Sequence, residues 1–316
     1  MSYGEFGGLV AALAERLLGL GVGVDSAVGV VMSRSLELLV AVHAVVVVGG
    51  RYVPVEPDVP VERVGFVLGT AGCGVVLVLS GDEGVVVPGD VVCVEVDCGV
   101  GVVVSPSEGA AALGRVVERV GVVSPLVGVY TLFTSGSTGR PKGVTVSHEA
   151  VVNRLAWMQS LFGLSVDDVV LWKTPVSFDV SVWELFWPLM VGASVVVAEP
   201  GGHRDPWYVA GVVERFGVSV CHFVPSMLSV FVEALRGSVE GGSVEGGSVE
   251  GGSVEGGSGG VAVAGLGSLR EVFCSGEVLG ASAVEGLRGL VPGVRVVNLY
   301  GPTEAAVDVT SYVCSG

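Results

Sequence analysis

Short valine-rich runs recur along this chain, separated by segments with helical spacing. Ala27 to Met32, Gly74 to Leu79, Val91 to Val96, Val169 to Lys173, Ser194 to Ala198, Val218 to Phe223, Glu271 to Cys274 and Val294 to Leu299 each span four to six residues. Runs of that length read as buried strands. Leu9 to Leu20 repeats its apolar residues at spacings of three and four, which predicts a helix. Ser35 to Val48 reads as a helix despite its valines. Val144 to Trp157 reads as a helix opening at Ser147, an N-cap with Ala150 three positions on and so without a capping box. Strands alternating with helices predict an α/β fold of layered parallel or mixed sheets.

The valine itself carries little weight. The chain has no Ile, two Lys (142 and 173) and two Asn (153 and 298), the imprint of a G+C-rich gene. Half of its 316 residues are apolar and 15% are charged, which excludes a highly charged disordered chain. The net charge of −16 argues against general nucleic-acid binding. A mean hydropathy of +0.73 invites a membrane reading. The longest apolar run, Leu38 to Gly50, contains His43 and falls short of the ~18 residues that a spanning helix needs. Met1 to Glu5 carries no export signal. Six Cys (73, 93, 98, 221, 274, 314) without a CxxC pair predict reduced, buried thiols of a cytoplasmic protein. Residues Gly237 to Gly260 repeat GSVEG four times. They predict a flexible surface loop between a helix ending near Arg236 and a strand beginning near Glu271.

Thr131 to Val144 reads TLFTSGSTGRPKGV, with hydroxyls and glycines gathered around Lys142. Glycines let backbone N–H groups approach phosphate oxygens, hydroxyls add donors, and Lys142 supplies a point charge. Lys142 follows Pro141 and precedes Gly143, so the string is not a Walker A loop.

This string resembles the signature loop of the AMP-forming adenylate superfamily. Four further segments resemble core motifs of nonribosomal peptide synthetase adenylation domains: Ser2 to Phe6, Gly49 to Val55, Phe178 to Phe186 and Asn298 to Glu304. They occur in the family's order and span the chain. The resemblance implies that an amino-acid carboxylate attacks the α-phosphate of ATP. Pyrophosphate leaves, and the aminoacyl group of the resulting adenylate passes to the phosphopantetheine thiol of a carrier protein. Catalysis of that kind rests on positioning and charge stabilisation.

By the same resemblance, Thr134, Ser135, Gly136, Ser137, Thr138, Gly139 and Lys142 cradle the phosphates. Tyr300 stacks on adenine beside Gly276 and Glu277, with Asn298 and Gly301 nearby. Thr303 bonds the α-phosphate and Glu304 holds Mg²⁺. Lys142, Thr303 and Glu304 are the implied catalytic set. The implied amino-acid pocket is Asp179, Val180, Trp183, His222, Phe273, Ser275, Leu299, Val307 and Asp308, a set similar to that of serine-activating domains. Asp179 would pair with the α-ammonium, which an acyl- or aryl-acid ligase has no need to hold. Its plain alternative is a helix-capping Asp. His222, Ser275 and Asp308 would bond a side-chain hydroxyl, with Asp308 a plausible partner for His222, whose plain alternative is a satisfied core histidine. His43, His203 and His148 match no motif.

The family's N-terminal subdomain continues past the last of these motifs and a C-terminal subdomain follows it. The expectation is therefore an incomplete N-terminal subdomain, 1–316, impaired in adenylation alone. An acyl- or aryl-acid ligase and a folded non-catalytic fragment remain as alternatives. A small helper protein is a possible partner; nucleic acid and membrane are not expected ones.

Overall fold

A computed structural model describes residues 1–81, 87, 91–98, 106–135, 140–240 and 263–315. The chain divides into two compact units. Unit 1 comprises Met1–Gly163, Pro175–Trp187 and Gly301–Asp308, and unit 2 comprises Leu164–Thr174, Pro188–Tyr300 and Val309–Gly316.

Unit 1 is built on strands β1 (Ala27–Val31), β2 (Arg51–Val55), β3 (Val75–Leu79), β4 (Val92–Val96), β5 (Gly128–Thr134) and β6 (Lys142–Ser147). They form one sheet in the order β4-β3-β1-β2-β5-β6. Every neighbouring pair is parallel except β5 and β6, which form an antiparallel hairpin. Its helices are α1 (Tyr3–Gly19), α2 (Leu36–Val47), α3 (Val61–Ala71), α4 (Pro106–Val120) and α5 (His148–Phe162), and α6 (Ser181–Val191) begins in it. All five residues of β1 are buried, as a strand covered on both faces requires. Helices α1 and α4 touch backbone to backbone: a Cβ at Gly109 would lie 1.9 Å from the Gly4 carbonyl oxygen, so only glycine fits there.

Unit 2 repeats the plan with β7 (Val169–Trp172), β8 (Ser194–Val197), β9 (Val220–Phe223), β10 (Glu271–Cys274), β11 (Arg295–Tyr300) and β12 (Thr310–Val313). The order is β12-β11-β10-β9-β7-β8, parallel except for the antiparallel pair β11 and β12. Helices α7 (Pro206–Phe216), α8 (Pro225–Glu240) and α9 (Ala281–Leu290) complete it. Phe223, Phe231, Leu235, Leu266 and Leu287 centre its core.

Several expectations need correction. Helix α1 starts at Tyr3, six residues before Leu9, because Ser2 and Glu5 form a capping box: Glu5 N donates to Ser2 Oγ at 3.3 Å and Ser2 N to Glu5 Oε2 at 2.6 Å. The segment read as one helix from Val144 is strand β6 followed by α5. Val144 and Thr145 pair with Leu132 and Thr131 of β5, and Ser147 caps α5 as expected. Helix α8 runs four residues past Arg236 to Glu240, and the rest of the GSVEG repeat lies outside the described residues. Cys73, Cys221 and Cys274 are buried, but Cys93 is exposed and Cys98 and Cys314 are half-buried, so three of the six are not core residues. No described helix is long and apolar enough to cross a membrane.

At the strand starts of unit 2, Asp168 ties three elements together. Its Oδ1 accepts from Ser219 Oγ at 2.7 Å and from Arg270 Nε at 2.7 Å, and its Oδ2 accepts from Ser165 N at 2.8 Å. Burial pushes its carboxyl up, but Arg270, Ser219 and the Ser165 amide outweigh burial and hold it at about 2. A carboxyl depressed in the folded state stabilises above its unfolded value near 3.9 and loses that contribution as pH falls through about 2. Asp168→Asn should therefore cost about 2 kcal/mol at neutral pH in urea unfolding, and the difference from wild type should vanish between pH 4 and pH 2.

Candidate functional site

The β5–β6 hairpin presents the hydroxyl-rich loop. Register sets Thr134 opposite Lys142 and Phe133 opposite Gly143, so the loop leaves from the ends of two paired strands. Thr131 Oγ1 and Thr145 Oγ1, 2.8 Å apart, lock the pair behind it. A Cβ at Gly143 would press to 3.1 Å on the Phe133 ring. Ser135, Arg140 and Lys142 are exposed and Thr134 is half-buried. Gly136, Ser137, Thr138 and Gly139 lie outside the described residues.

A second cluster in unit 1 surrounds Asp179, which stands two residues before α6. The Thr303 hydroxyl donates to its carboxylate. Burial pushes the Asp179 carboxyl up, Thr303 pulls it down, and the nearby Asp308 carboxylate pushes it up again, leaving it raised. Asp308 in turn accepts from Arg154 Nη2 at 2.7 Å, with both side chains buried. Burial raises the Asp308 carboxyl and lowers the Arg154 guanidinium, while each partner favours the charged form of the other. Arg154 Nε and Nη1 are buried with no acceptor among the described residues, and unsatisfied groups of this kind cost about 1–3 kcal/mol each.

Between Thr303 and Asp308 the chain makes a 3-10 turn (Thr303–Ala305) and then takes left-handed backbone at Ala306 (φ 61) and Val307 (φ 79). For a β-branched residue that conformation costs on the order of 1–3 kcal/mol. It turns Val307 and Asp308 inward, both buried, while Glu304 stays exposed. Val180 and Trp183 are buried at the start of α6, and Trp183 packs edge-on against Trp187 with ring centroids 6.0 Å apart.

Unit 2 carries the remaining residues, and sheet register groups them. Phe273 pairs with His222 on one side and with Val297 on the other. Side chains alternate with period two, so His222, Phe273, Ser275 and Leu299 share one face. Cys221, Cys274 and Asn298 take the other, where Cys221 and Cys274 join the core. His222 Nε2 lies 2.9 Å from Ser275 Oγ, and both are buried. Ser275 is thus one partner of the His222 ring.

Tyr300, at the end of β11, is 71% exposed. Gly276 holds φ +90, a conformation that favours glycine, and leaves open space beside it. Glu277 Oε2 accepts from Ser226 N at 3.1 Å, an anion set on the first turn of α8. Gly301 is half-buried at the start of the segment that rejoins unit 1. Buried Lys173, whose Nζ lies 4.4 Å from the Phe223 ring centroid, helps depress His222.

Sequence reasoning passed over Arg154 and Lys173. Arg154 stands between Asn153 and Leu155 on a helix, but its partner lies 154 positions away and no local spacing connects them. His43 proves structural: Nδ1 is 2.8 Å from the Leu39 carbonyl, and burial drops the ring to about 4. Burial, with Lys173 second, drives His222 well below its usual value. Its ring should therefore stay neutral in long-range ¹⁵N NMR spectra from pH 8 to pH 5; titration near 6.5 would contradict this burial. Ser275→Ala should cost about 0.5–1.5 kcal/mol in thermal or urea unfolding by removing the buried hydroxyl–imidazole hydrogen bond.

Comparison with known proteins agrees with this architecture. The sequence matches the AMP-binding enzyme family over residues 1–315. It is 39% identical over 303 residues to phosphinothricin tripeptide synthetase PhsB of Streptomyces viridochromogenes, across 96% of this chain and 23% of that protein. It is 39% identical over 315 residues to enterobactin synthase component F of Escherichia coli K12, across 100% of this chain and 22% of that one. The chain thus spans less than a quarter of these two relatives. The crystal structure of nonribosomal peptide synthetase FmoA3 in its α-methyl-L-serine-AMP-bound form superposes with a TM-score of 0.80 at 25% identity, over 100% of this chain and 32% of that one. The AMPPNP-bound form gives 0.76 at 25% identity, over 98% and 29%. The two mixed sheets match the N-terminal subdomain of adenylating enzymes. The chain belongs to the AMP-binding enzyme family and is an AMP-binding domain of the nonribosomal peptide synthetase adenylation type.

Proposed function

We propose that this chain, as part of the N-terminal adenylation subdomain, activates an amino acid, serine by preference, as its adenylate. The observation that carries the reading is the pair formed by the half-buried Asp179 carboxylate, bonded by Thr303, and the buried Asp308 carboxylate close to it. An incoming α-ammonium gives Asp179 the cation that a half-buried carboxylate needs. An acyl or aryl acid without an α-amine brings no such charge. FmoA3, whose structure carries α-methyl-L-serine-AMP, supports a serine-like side chain.

The substrate carboxylate oxygen attacks the α-phosphorus of ATP, the bond to the β-phosphate oxygen breaks, and pyrophosphate leaves. Thr134, Ser135 and Lys142, with Gly136, Ser137, Thr138 and Gly139 of the same loop, hold the phosphates. Exposed Tyr300 offers adenine a face to stack on, and the family motifs add Gly276, Glu277, Asn298 and Gly301 as further nucleotide contacts. Thr303 serves the α-phosphate while its hydroxyl orients Asp179. Mg²⁺ fits Glu304: an exposed carboxylate suits a cation that shares itself between one or two carboxylates and phosphate oxygens, and it would neutralise developing phosphate charge.

The family motifs assign the limit on side-chain size to Val180, Trp183 and Val307 of unit 1 and to Phe273 and Leu299 of unit 2, each of them buried. His222, Ser275 and Asp308 supply hydroxyl partners. A site that pairs a hydroxyl rejects analogues lacking it by up to 10⁴-fold or so, whereas threonine is excluded only sterically. In the full synthetase a carrier-protein thiol takes the aminoacyl group.

In the complete adenylation domain, serine should give the fastest ATP–pyrophosphate exchange in a panel of all proteinogenic amino acids. Asp179→Ala should lower kcat/KM at least about 30-fold, the loss expected when one partner of a buried charge pair is removed. Faster exchange with threonine, or with an acid lacking an α-amine, would overturn the reading.

A further inference from the structure

Unit 1 holds a buried cation with no part in the reaction as proposed. Arg154 on α5 is 5% exposed; Nη2 bonds Asp308, the guanidinium lies 4.6 Å from the Trp157 ring centroid, and Nε and Nη1 meet no acceptor among the described residues. Packing alone explains it poorly, because buried ion pairs are often replaced by apolar residues without loss.

The charge count explains it better. Asp179 and Asp308 lie close enough to influence each other, and Arg154 acts on both. Two carboxylates and one guanidinium leave a charge of −1, which one α-ammonium brings to zero. Without Arg154 two equivalent carboxylates would compete for that ammonium. With it, Asp308 already has a cation on Oδ2 and keeps Oδ1 for a neutral donor. The left-handed backbone at Ala306 and Val307 aims the Asp308 side chain, and the Arg154 bond holds it there.

We propose that Arg154 is a specificity-positioning residue: by pairing with Asp308 it commits that carboxylate to the hydroxyl of the amino-acid side chain and reserves Asp179 for the α-ammonium. This rests on the serine reading above. The test is calorimetric binding of two non-hydrolysable adenylate analogues, seryl- and alanyl-sulfamoyladenosine, to the full chain and to Arg154→Lys, Arg154→Gln and Arg154→Met, with a melting temperature for each.

Wild type should prefer the seryl analogue by about tenfold or more. Arg154→Gln and Arg154→Met should erase the preference by weakening the seryl analogue, with alanyl binding held within about twofold. Arg154→Lys keeps the charge and should keep most of the preference. Equal wild-type affinity for the two analogues, or no binding of either, would sink the serine reading itself. A wild-type preference that survives in Arg154→Gln, or parallel loss of both analogues in every folded variant, would overturn the Arg154 assignment alone. Should Arg154→Met fail to fold with Asp308 left unpaired, Arg154→Gln and Arg154→Lys decide the matter.

Discussion

A buried carboxylate has to be compensated, and the candidate site of unit 1 is arranged around that requirement. Asp308 sits at the end of a short segment, Gly301–Asp308, that the chain contributes to unit 1 before returning to unit 2 for β12. The Asp308 bond to Arg154 and the Thr303 bond to Asp179 tie that segment to α5 and to the approach of α6. Those two contacts sustain the left-handed backbone of Ala306 and Val307, which an isolated peptide would abandon. The unsatisfied N–H groups of Arg154 and the strained Val307 are costs concentrated within a few residues of each other, as at functional sites generally.

Sheet geometry does the comparable work in unit 2. Parallel pairing of β9, β10 and β11 brings His222, Phe273, Ser275 and Leu299, which span 78 positions of sequence, onto one face. The same alternation turns Cys221, Val272 and Cys274 into the core behind them. In each unit the sheet gains one antiparallel edge, and the connections there carry functional candidates: the Thr134–Lys142 loop between β5 and β6, and Gly301–Asp308 between β11 and β12. Antiparallel neighbours permit such short connections, whereas parallel ones require a crossover.

Much of the fold was legible because short buried strands and amphipathic helices leave local signatures. The runs at Ala27, Val75, Val169 and Glu271 are strands within a residue or two of expectation. The strand at Lys142–Ser147 was hidden because it abuts a helix with no intervening breaker, and the first turn of α1 because its apolar spacing begins later than its cap. Motif residues such as Asp179, Thr303 and Tyr300 were visible as strings. Their environments were not: Glu277 on α8, Ser275 against His222 and Arg154 under Asp308 are contacts between distant segments.

The sequence by itself determined the α/β alternation, the family and the identity of the hydroxyl-rich loop, since each is written in neighbouring residues. Only the tertiary structure decided which charges meet. Burial sets a buried group's proton affinity and demands a partner for it, and burial is a property of the folded sheet and helix layers. Arg154 therefore reads as an ordinary helical arginine in the sequence and becomes the counter-ion of buried Asp308 only once α5 and Gly301–Asp308 are packed together.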